Sequence, residues 1–135
     1  IPSSFGLVGH SDADVLIHSI CDAILGALNL GDIGDHFSDN DEKNKNKKST
    51  IFLRKIVSLM KKNGYQIVNI DSTIICEKPK LAKYKRKMKD VLSPILKIDI
   101  KNLSIKATTF EGLGPIGKNE GIACKTIIML ELIKK

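Results

Sequence analysis

The sequence predicts an α/β (α+β) fold in which helices pack on one face of a small mixed β-sheet. Segments with helical apolar periodicity alternate with short β-branched segments, the order expected of a sheet covered by helices. The 135 residues fit a single domain spanning residues 1–135, with no internal repeat. Aromatic residues make up only 4% of the chain and Trp is absent, so the core must be built from Ile, Leu and Val.

The first predicted helix begins just after His10 and runs to about Leu28. Ser11 followed by Asp14 matches a capping box, which marks a helix start. The free N–H groups and partial positive charge of such a start attract phosphate.

One face of this helix carries Asp14, His18 and Asp22 at positions i, i+4 and i+8. An imidazole between two carboxylates is a common arrangement for a metal-ligating histidine. An ordinary histidine on the polar face of a capped helix fits the same spacing. The two interpretations stay open on spacing alone.

The segment after this helix is rich in glycine and aspartate. Gly31 suits a helix C-cap, and Gly34 permits close backbone approach to a ligand. Asp32 can accept paired sugar hydroxyls, while His36 is expected to be only a surface residue. A calcium loop beginning at Asp39 is excluded, because lysine stands at its fifth position and asparagine where glycine belongs.

The rest of the chain alternates between helices and strands. Ser49 can cap the second helix, Gly64 is a natural C′ residue after it, and the third helix is interrupted or ended near Pro94. The last apolar segment fits a strand, with a helix as the alternative for its second half. The predicted elements are a helix from Ser49 to Asn63, a strand from Tyr65 to Cys76, a helix from Leu81 to Leu96, a strand from Leu103 to Thr109, a loop from Phe110 to Glu120 and a strand from Ile122 to Ile133.

The composition excludes other classes of protein. No apolar run approaches the roughly 20 residues that span a membrane. The three cysteines, Cys21, Cys76 and Cys124, are far apart and lack a C-x-x-C pair, which predicts buried free thiols in a reducing compartment. The net charge of +7 indicates either anionic partners or solvated lysine faces. A nucleic-acid-binding module is the main rival function, but the chain lacks aromatic platforms for base stacking.

A second group of candidate residues ends the strand before the predicted loop. Thr108, Thr109 and Glu111 place hydroxyls and a carboxylate at a strand end, a composition typical of sites for oxyanions and divalent metals. The two threonines could otherwise be simple β-formers and Glu111 an exposed turn residue.

Four motifs occur in the order and spacing of one known family. They are His10-Ser11-Asp12-x-Asp14-x3-His18, Gly31-Asp32-Ile33-Gly34-x2-Phe37-x-Asp39-x-Asp41, Lys106-Ala107-Thr108-Thr109-x-Glu111-x-Leu113-Gly114 and Gly117-x2-Glu120-Gly121-Ile122-Ala123. Over essentially its whole length the chain resembles the 2-C-methyl-D-erythritol 2,4-cyclodiphosphate synthases of the non-mevalonate isoprenoid pathway.

The resemblance implies a metal-assisted intramolecular phosphoryl transfer. The 2-phosphate of 4-diphosphocytidyl-2-C-methyl-D-erythritol 2-phosphate would attack the β-phosphorus, close the cyclic diphosphate and release CMP. The resemblance further implies a homotrimer with active sites between subunits, a small-molecule cytidine diphosphate substrate, and no nucleic-acid or membrane partner. Two anionic groups repel strongly in a low-dielectric site, so cations must offset the repulsion.

The resemblance also implies roles for individual residues. His18 would be a zinc ligand, Glu111 would hold a second divalent cation (Mg²⁺ or Mn²⁺), and His10 and Thr109 would be catalytic. The residues expected to contact substrate are His10, Ser11, Asp32, Ile33, Gly34, Phe37, Asp39, Asp41, Cys76, Lys80, Leu81, Thr108, Thr109, Glu111 and Lys118.

The sequence departs from the family pattern in several places. The family's other two zinc ligands lie in an Asp-x-His motif on an N-terminal strand that this sequence lacks, so we expect them upstream of Ile1; a chain truly without them would be an inactive member. Lys118 stands where arginine is usual and Pro115 where phenylalanine is usual, and lysine lacks the bidentate fork of arginine. The Lys- and Asn-rich run predicts an A+T-rich genome and an apicoplast enzyme of the plastid stroma, with the bacterial cytoplasm as the alternative.

Overall fold

The computed structural model describes residues 10–37, 49–76, 82–109 and 122–134. The predicted loop after residue 109 and the Lys- and Asn-rich run lie outside these ranges. Within them, no helix is long and apolar enough to cross a membrane. The elements are α1 (His10–Ala27), α2 (Ile33–His36), α3 (Ser49–Lys62), β1 (Tyr65–Ile75), a 3₁₀ turn (Ala82–Tyr84), α4 (Lys85–Leu96), a 3₁₀ turn (Ile100–Asn102), β2 (Leu103–Thr108) and β3 (Ala123–Leu132).

The three strands form a mixed sheet in the order β2-β1-β3. β1 pairs parallel with β2, with Ile75 opposite Thr108, and antiparallel with β3, with Ile74 opposite Cys124. A parallel pair cannot be joined by a tight turn, and α4 forms the crossover between β1 and β2. The mixed sheet predicted from the sequence is confirmed.

The helices cover one face of the sheet, and an aliphatic core lies between the two layers. Along β1, Ile70, Ser72 and Ile74 are buried at alternate positions, as expected for a strand with one covered face. The helix facing them presents an apolar stripe with helical spacing. The buried residues of α1 are Leu16, Ile17, Ile20, Cys21, Ile24 and Leu25.

Both ends of α1 differ from the prediction. The helix begins at His10, so Ser11 lies inside its first turn and is not the N-cap. At the other end Asn29, with φ 55°, takes the left-handed conformation, and the Leu30 N–H donates to the Leu25 carbonyl at 2.9 Å. This is the closing bond of a Schellman motif, so the C′ residue is Asn29 and the prediction that Gly31 caps the helix is wrong.

Gly31 instead begins the turn that follows. Its φ is +87°, and a Cβ at this position would collide with the Asp35 carboxylate. That carboxylate accepts a hydrogen bond from the Asp32 N–H at 3.0 Å. The glycine is therefore required by both its backbone conformation and the packing of Asp35.

The other predicted elements are confirmed with one correction: Ser49 is the first residue of α3, and its hydroxyl donates to Asp14 instead of capping the helix. Gly64, with φ +89°, ends α3, and β3 is a strand along its whole length, which excludes the helical alternative for its second half. Pro94 lies inside α4 without interrupting it, and the helix ends close to Pro94 as predicted, at Leu96, and closes at Lys97 with φ 59°. A proline in the last turn removes a single helical N–H donor, so the helix tolerates it.

Substitution of Gly31 tests the turn. We expect Gly31→Ala to lower the free energy of unfolding by about 1–3 kcal/mol, because alanine combines a strained φ with the collision at Asp35. Gly64→Ala has a similar φ but open space around it and should lose only about 1 kcal/mol. Urea unfolding of the full chain measures both.

Gly26→Ala is the matched control, since Gly26 lies within α1 and no atom approaches its Cβ position within 4 Å. Alanine there should leave stability unchanged or raise it by up to about 1 kcal/mol. Equal losses at Gly26 and Gly31 would contradict the role given to the Gly31 turn.

Candidate functional site

A groove of about 610 Å³ runs between α1 and β3. His18 is exposed in it, one helical turn before Asp22. The residues that line the groove are Val15, His18, Ser19, Asp22 and Ala23 on the helix and Cys124, Lys125, Thr126 and Ile127 on the strand.

A chain of hydroxyl groups fixes the helix against the sheet beside His18. The Ser19 and Thr126 hydroxyl oxygens are 2.8 Å apart, and Thr126 is also 2.8 Å from the hydroxyl of Ser72, which is fully buried. Ser19 further donates to the Cys124 carbonyl at 3.4 Å. Each hydroxyl in this buried chain has a partner, and the position of α1 along β3 is thereby set.

The two carboxylates that flank His18 in sequence connect α1 to other elements. Asp14 accepts a hydrogen bond from the Ser49 hydroxyl at the start of α3, at 2.7 Å. Asp22 accepts one from the Ile33 N–H at the start of α2, also at 2.7 Å. These long-range partners were not predicted, because residues 11 and 35 positions away leave no local pattern.

The described ranges do not contain a complete set of metal ligands. No group of three or more His, Cys, Asp or Glu side chains there could hold a metal ion. His18 can offer one nitrogen ligand, and the described residues by themselves do not complete a metal site.

The turn from Asp32 to Phe37 forms a small wall held by its own hydrogen bonds. The Asp32 side chain accepts a hydrogen bond from the Asp35 N–H at 3.1 Å, and the Asp35 carboxylate accepts one from the Asp32 N–H at 3.0 Å. This short helix α2 was not predicted, although an aspartate followed three residues later by another acidic residue is a signal for a helix start. Phe37 packs on Phe52 of α3, with ring centroids 4.6 Å apart.

The same turn presents polar groups to solvent. Asp32 and Gly34 are exposed, and a Cβ at Gly34 would approach Asp32 Oδ1 to 3.3 Å. The His36 ring nitrogen lies 2.8 Å from the Leu30 carbonyl oxygen, and its side chain is exposed, as the sequence analysis expected. An exposed carboxylate above a short helix can accept hydrogen bonds from ligand hydroxyls.

A second group of site residues lies at the carboxyl ends of the parallel pair. The Cys76 N–H donates to the Thr108 carbonyl at 3.0 Å, which brings these residues together. Thr108 and Thr109 are exposed, whereas Cys76 is buried. Open α/β sheets bind ligands outside the carboxyl ends of their strands.

The groove and the threonines lie at the same end of the sheet. Cys124 in the groove pairs with Ile74, and Thr108 pairs with the next residue of β1, Ile75. β1 separates β3 from β2, so the two groups are about 10 Å apart across the strands. The structure therefore places the groove and the two threonines at the same end of the sheet, and Asp22 joins the Asp32 turn to the groove.

The remaining predicted residues lie outside what the structure describes. The backbone of His10 and Ser11 belongs to α1, but their side chains are outside the description. The other predicted residues outside the described ranges are Asp39, Asp41, Lys80, Leu81, Glu111 and Lys118.

The cysteines form no disulfide, as predicted. Burial, with a smaller effect of the Asp22 charge, raises the pKa of the Cys21 thiol to about 12. Burial also raises the pKa of Cys124, although hydrogen bonds with Ser19 and Thr126 oppose that rise. Neither thiol is a thiolate at neutral pH, so neither is an activated nucleophile.

The chain matches the YgbB family over residues 1–131. It is 55% identical to the 2-C-methyl-D-erythritol 2,4-cyclodiphosphate synthase of Prochlorococcus marinus (strain MIT 9215) over 130 residues, which are 96% of this chain and 78% of that protein. It is 54% identical to the synthase of Brachyspira hyodysenteriae over 134 residues, 99% of this chain and 85% of that protein.

Solved structures share the fold. IspF of Plasmodium falciparum in complex with CDP has a TM-score of 0.79 and 37% identity, over 89% of this chain and 72% of that one. The bifunctional IspDF of Campylobacter jejuni has a TM-score of 0.86 and 38% identity, over 89% of this chain and 32% of that one. This chain thus spans about a third of the bifunctional protein.

Removal of the Asp22 carboxylate tests how the Asp32 turn is held. A hydrogen bond to a charged acceptor contributes about 1.5–3 kcal/mol, so in Asp22→Ala we expect the Ile33 amide to exchange with solvent roughly 10–100-fold faster. Asp90→Ala, which removes an exposed carboxylate paired with Arg86, is the control and should leave that amide unchanged. Unaltered exchange at Ile33 in Asp22→Ala would show that other contacts hold the turn.

Proposed function

The chain belongs to the YgbB family of 2-C-methyl-D-erythritol 2,4-cyclodiphosphate synthases, and from this premise we propose how its residues carry out the reaction. It is a lyase of the non-mevalonate isoprenoid pathway that cyclises its cytidine diphosphate substrate and releases CMP. The observation that supports our assignment of residues is that the His18 groove and the two threonines lie at the same end of the sheet, with the Asp32 turn joined to the groove through Asp22. We also propose that residues 1–135 form a single domain.

We assign the strand-end group to the phosphates and the cytidine. The exposed Thr109 hydroxyl, at the end of β2, donates a hydrogen bond to a phosphate oxygen as charge develops during transfer. The neighbouring Thr108 and Cys76, with Lys80 and Leu81 following, form the nucleotide pocket. CDP is bound in the Plasmodium falciparum relative, which supports a cytidine nucleotide at this site.

We assign the start of α1 to the phosphate that attacks. The helix begins at His10, and its free N–H groups and partial positive charge favour an anion there. His10 and Ser11 hold this phosphate close to the diphosphate and in line for attack, against the repulsion between the two anions. Lys118 supplies a further phosphate contact.

We assign the Asp32 turn to the sugar-like part of the substrate. The exposed Asp32 accepts hydroxyl hydrogen bonds, and Gly34 lets the backbone approach the ligand. Ile33 and Phe37 form the apolar side of this wall, anchored through Phe52. Asp39 and Asp41 continue it.

Enzymes of this family depend on metal ions, and we propose that His18 supplies one zinc ligand. The described residues do not complete the site, so the remaining ligands must come from other parts of the polypeptide. β3 is an edge strand in the described sheet, and an extended segment added beside it would pass His18. Residues two apart on a strand share a face, so an Asp-x-His pair there would point both ligands into the groove.

Bound zinc would act as a Lewis acid that offsets charge on the diphosphate. We propose that Glu111 holds a second divalent cation, magnesium or manganese, since carboxylate oxygen suits hard cations.

We propose a homotrimer whose active sites lie between subunits. In this trimer, neighbouring copies of the chain cover the face of the sheet that the helices leave open. On this face of β3, Ile127 is 74% and Met129 59% exposed. Beside them Asp71 pairs with Lys106 at 3.0 Å, while its Oδ1 is buried without a hydrogen-bond partner in the described ranges. Exposed apolar side chains around an acceptor that lacks a donor support an interface.

The relatives that support the cellular location are bacterial. We therefore propose the bacterial cytoplasm as the location and not the plastid stroma. The Lys- and Asn-rich run, from which an A+T-rich genome and an apicoplast enzyme were predicted, does not by itself distinguish the two locations.

The metal assignment is tested by His18→Ala. We expect the full-length enzyme to lose its zinc, measured by mass spectrometry of the metal, and to release CMP at least about 100-fold more slowly, since several kcal/mol of charge stabilisation are lost. The fold should persist, because the His18 side chain is exposed. His36→Ala is the control histidine and should retain zinc and turnover. Normal zinc content in His18→Ala would make the assignment wrong, and absence of CMP release from the unmodified enzyme would refute the assigned reaction.

The trimer is tested by Met129→Lys. A lysine buried at the interface is costly, so we expect this variant to sediment as a monomer where the unmodified chain sediments as a trimer. Val91→Lys places the same charge at a 51% exposed apolar residue of α4 and should leave the trimer intact. A trimeric Met129→Lys variant would remove this face from the interface.

A further inference from the structure

A cluster of lysines covers the start of α4. Five basic residues and one acidic residue lie between Ala82 and Leu92. Arg86 and Asp90 pair with each other at 3.1 Å, so their charges offset one another. The other four, which we call the α4 lysines, make no ion pair with the described residues; they are Lys83, Lys85, Lys87 and Lys89.

The topology places the α4 lysines at the end of the sheet where substrate binds. α4 follows β1 and leads back to the parallel strand β2, so its first turns lie near the carboxyl ends of both strands. Thr109 and Cys76 lie at this same end. Other basic residues, including Lys61 and Lys62 before β1, lie at the opposite end, about 35 Å away along the 11-residue strand.

We infer that the α4 lysines attract the multiply charged cytidine diphosphate substrate to the strand ends without contacting its reacting atoms. The inference rests on the proposed function of this end of the sheet. Several like charges near one cleft raise the local concentration of a polyvalent anion. The Debye length is about 30 Å at 0.01 M salt and about 10 Å at 0.1 M, so the attraction depends on ionic strength and on which end of the sheet carries the charge.

The test compares two variants with the same change in net charge. In the first, the α4 lysines become glutamine; in the second, Lys61, Lys62, Lys101 and Lys134, at the opposite end, become glutamine. For the first we expect KM to rise about tenfold near 0.01 M salt and less than about twofold near 0.5 M, with kcat within about twofold. For the second we expect KM to stay within about twofold at every salt concentration.

Calorimetric titration with CDP separates this inference from the proposed reaction, because it needs no turnover. A salt-dependent loss of CDP affinity confined to the first variant supports attraction by the α4 lysines, even if CMP release failed to appear. Equal effects of the two variants, or no effect of the first, would mean that these lysines are only a solvated surface. Retained CDP affinity together with loss of salt-sensitive RNA binding would overturn the inference in favour of a nucleic-acid surface.

Discussion

The parallel pairing of β1 with β2 is the constraint on which the rest of the site depends. Because parallel strands need a crossover, this pairing forces α4 across the sheet and returns the chain so that Cys76 and Thr108 end side by side. Exposed hydroxyls, the proposed nucleotide-binding residues and a basic helix start thus lie at one edge. A register shifted by one residue would turn Thr108 to the other face and separate these groups.

The second constraint is the attachment of α1 to the sheet. Apolar burial alone would let a smooth aliphatic stripe slide along β3, because Ile and Leu side chains have no directional contacts. The hydroxyl chain from Ser72 through Thr126 to Ser19 removes that freedom, since each bond has a fixed length and buried hydroxyls must be paired. His18 directly precedes the anchored Ser19, and Asp22 connects the same helix to the Asp32 turn. The candidate site is therefore built on α1, while its proposed sugar-binding wall lies on a short turn held to that helix.

The strands, the long helices and the aliphatic core could be predicted from sequence because each repeats a local period that burial enforces. The predictions failed where a contact with another residue overrode a local rule for helix ends. The sequence predicts Gly31 as the helix cap, but Asn29 closes α1 earlier and the glycine is needed for the approach of Asp35. The sequence predicts Ser49 as the cap of α3, but its hydroxyl donates to Asp14 of α1.

The candidate site shows the same limit at longer range. The spacing of Asp14, His18 and Asp22 correctly placed three polar residues on one face, yet the two carboxylates bind Ser49 and the Ile33 amide, partners that only the folded chain brings near. Helical spacing thus predicted which residues of α1 share a face. It could not predict that the carboxylates also hold the site's walls together, because that role depends on contacts between distant segments.

The location of the positive charge also depends on the fold. A net charge of +7 indicates either anionic partners or solvated lysine faces and gives no location, and lysines spread evenly would give only weak attraction. The fold divides the lysines between the two ends of the sheet. The crossover places the α4 lysines at the carboxyl ends of β1 and β2, and Lys61 and Lys62 lie at the opposite end. At physiological ionic strength the distant charges are screened and the near ones are not. The crossover that places Thr108 and Thr109 at the strand ends therefore also decides which of the chain's many lysines lie near them.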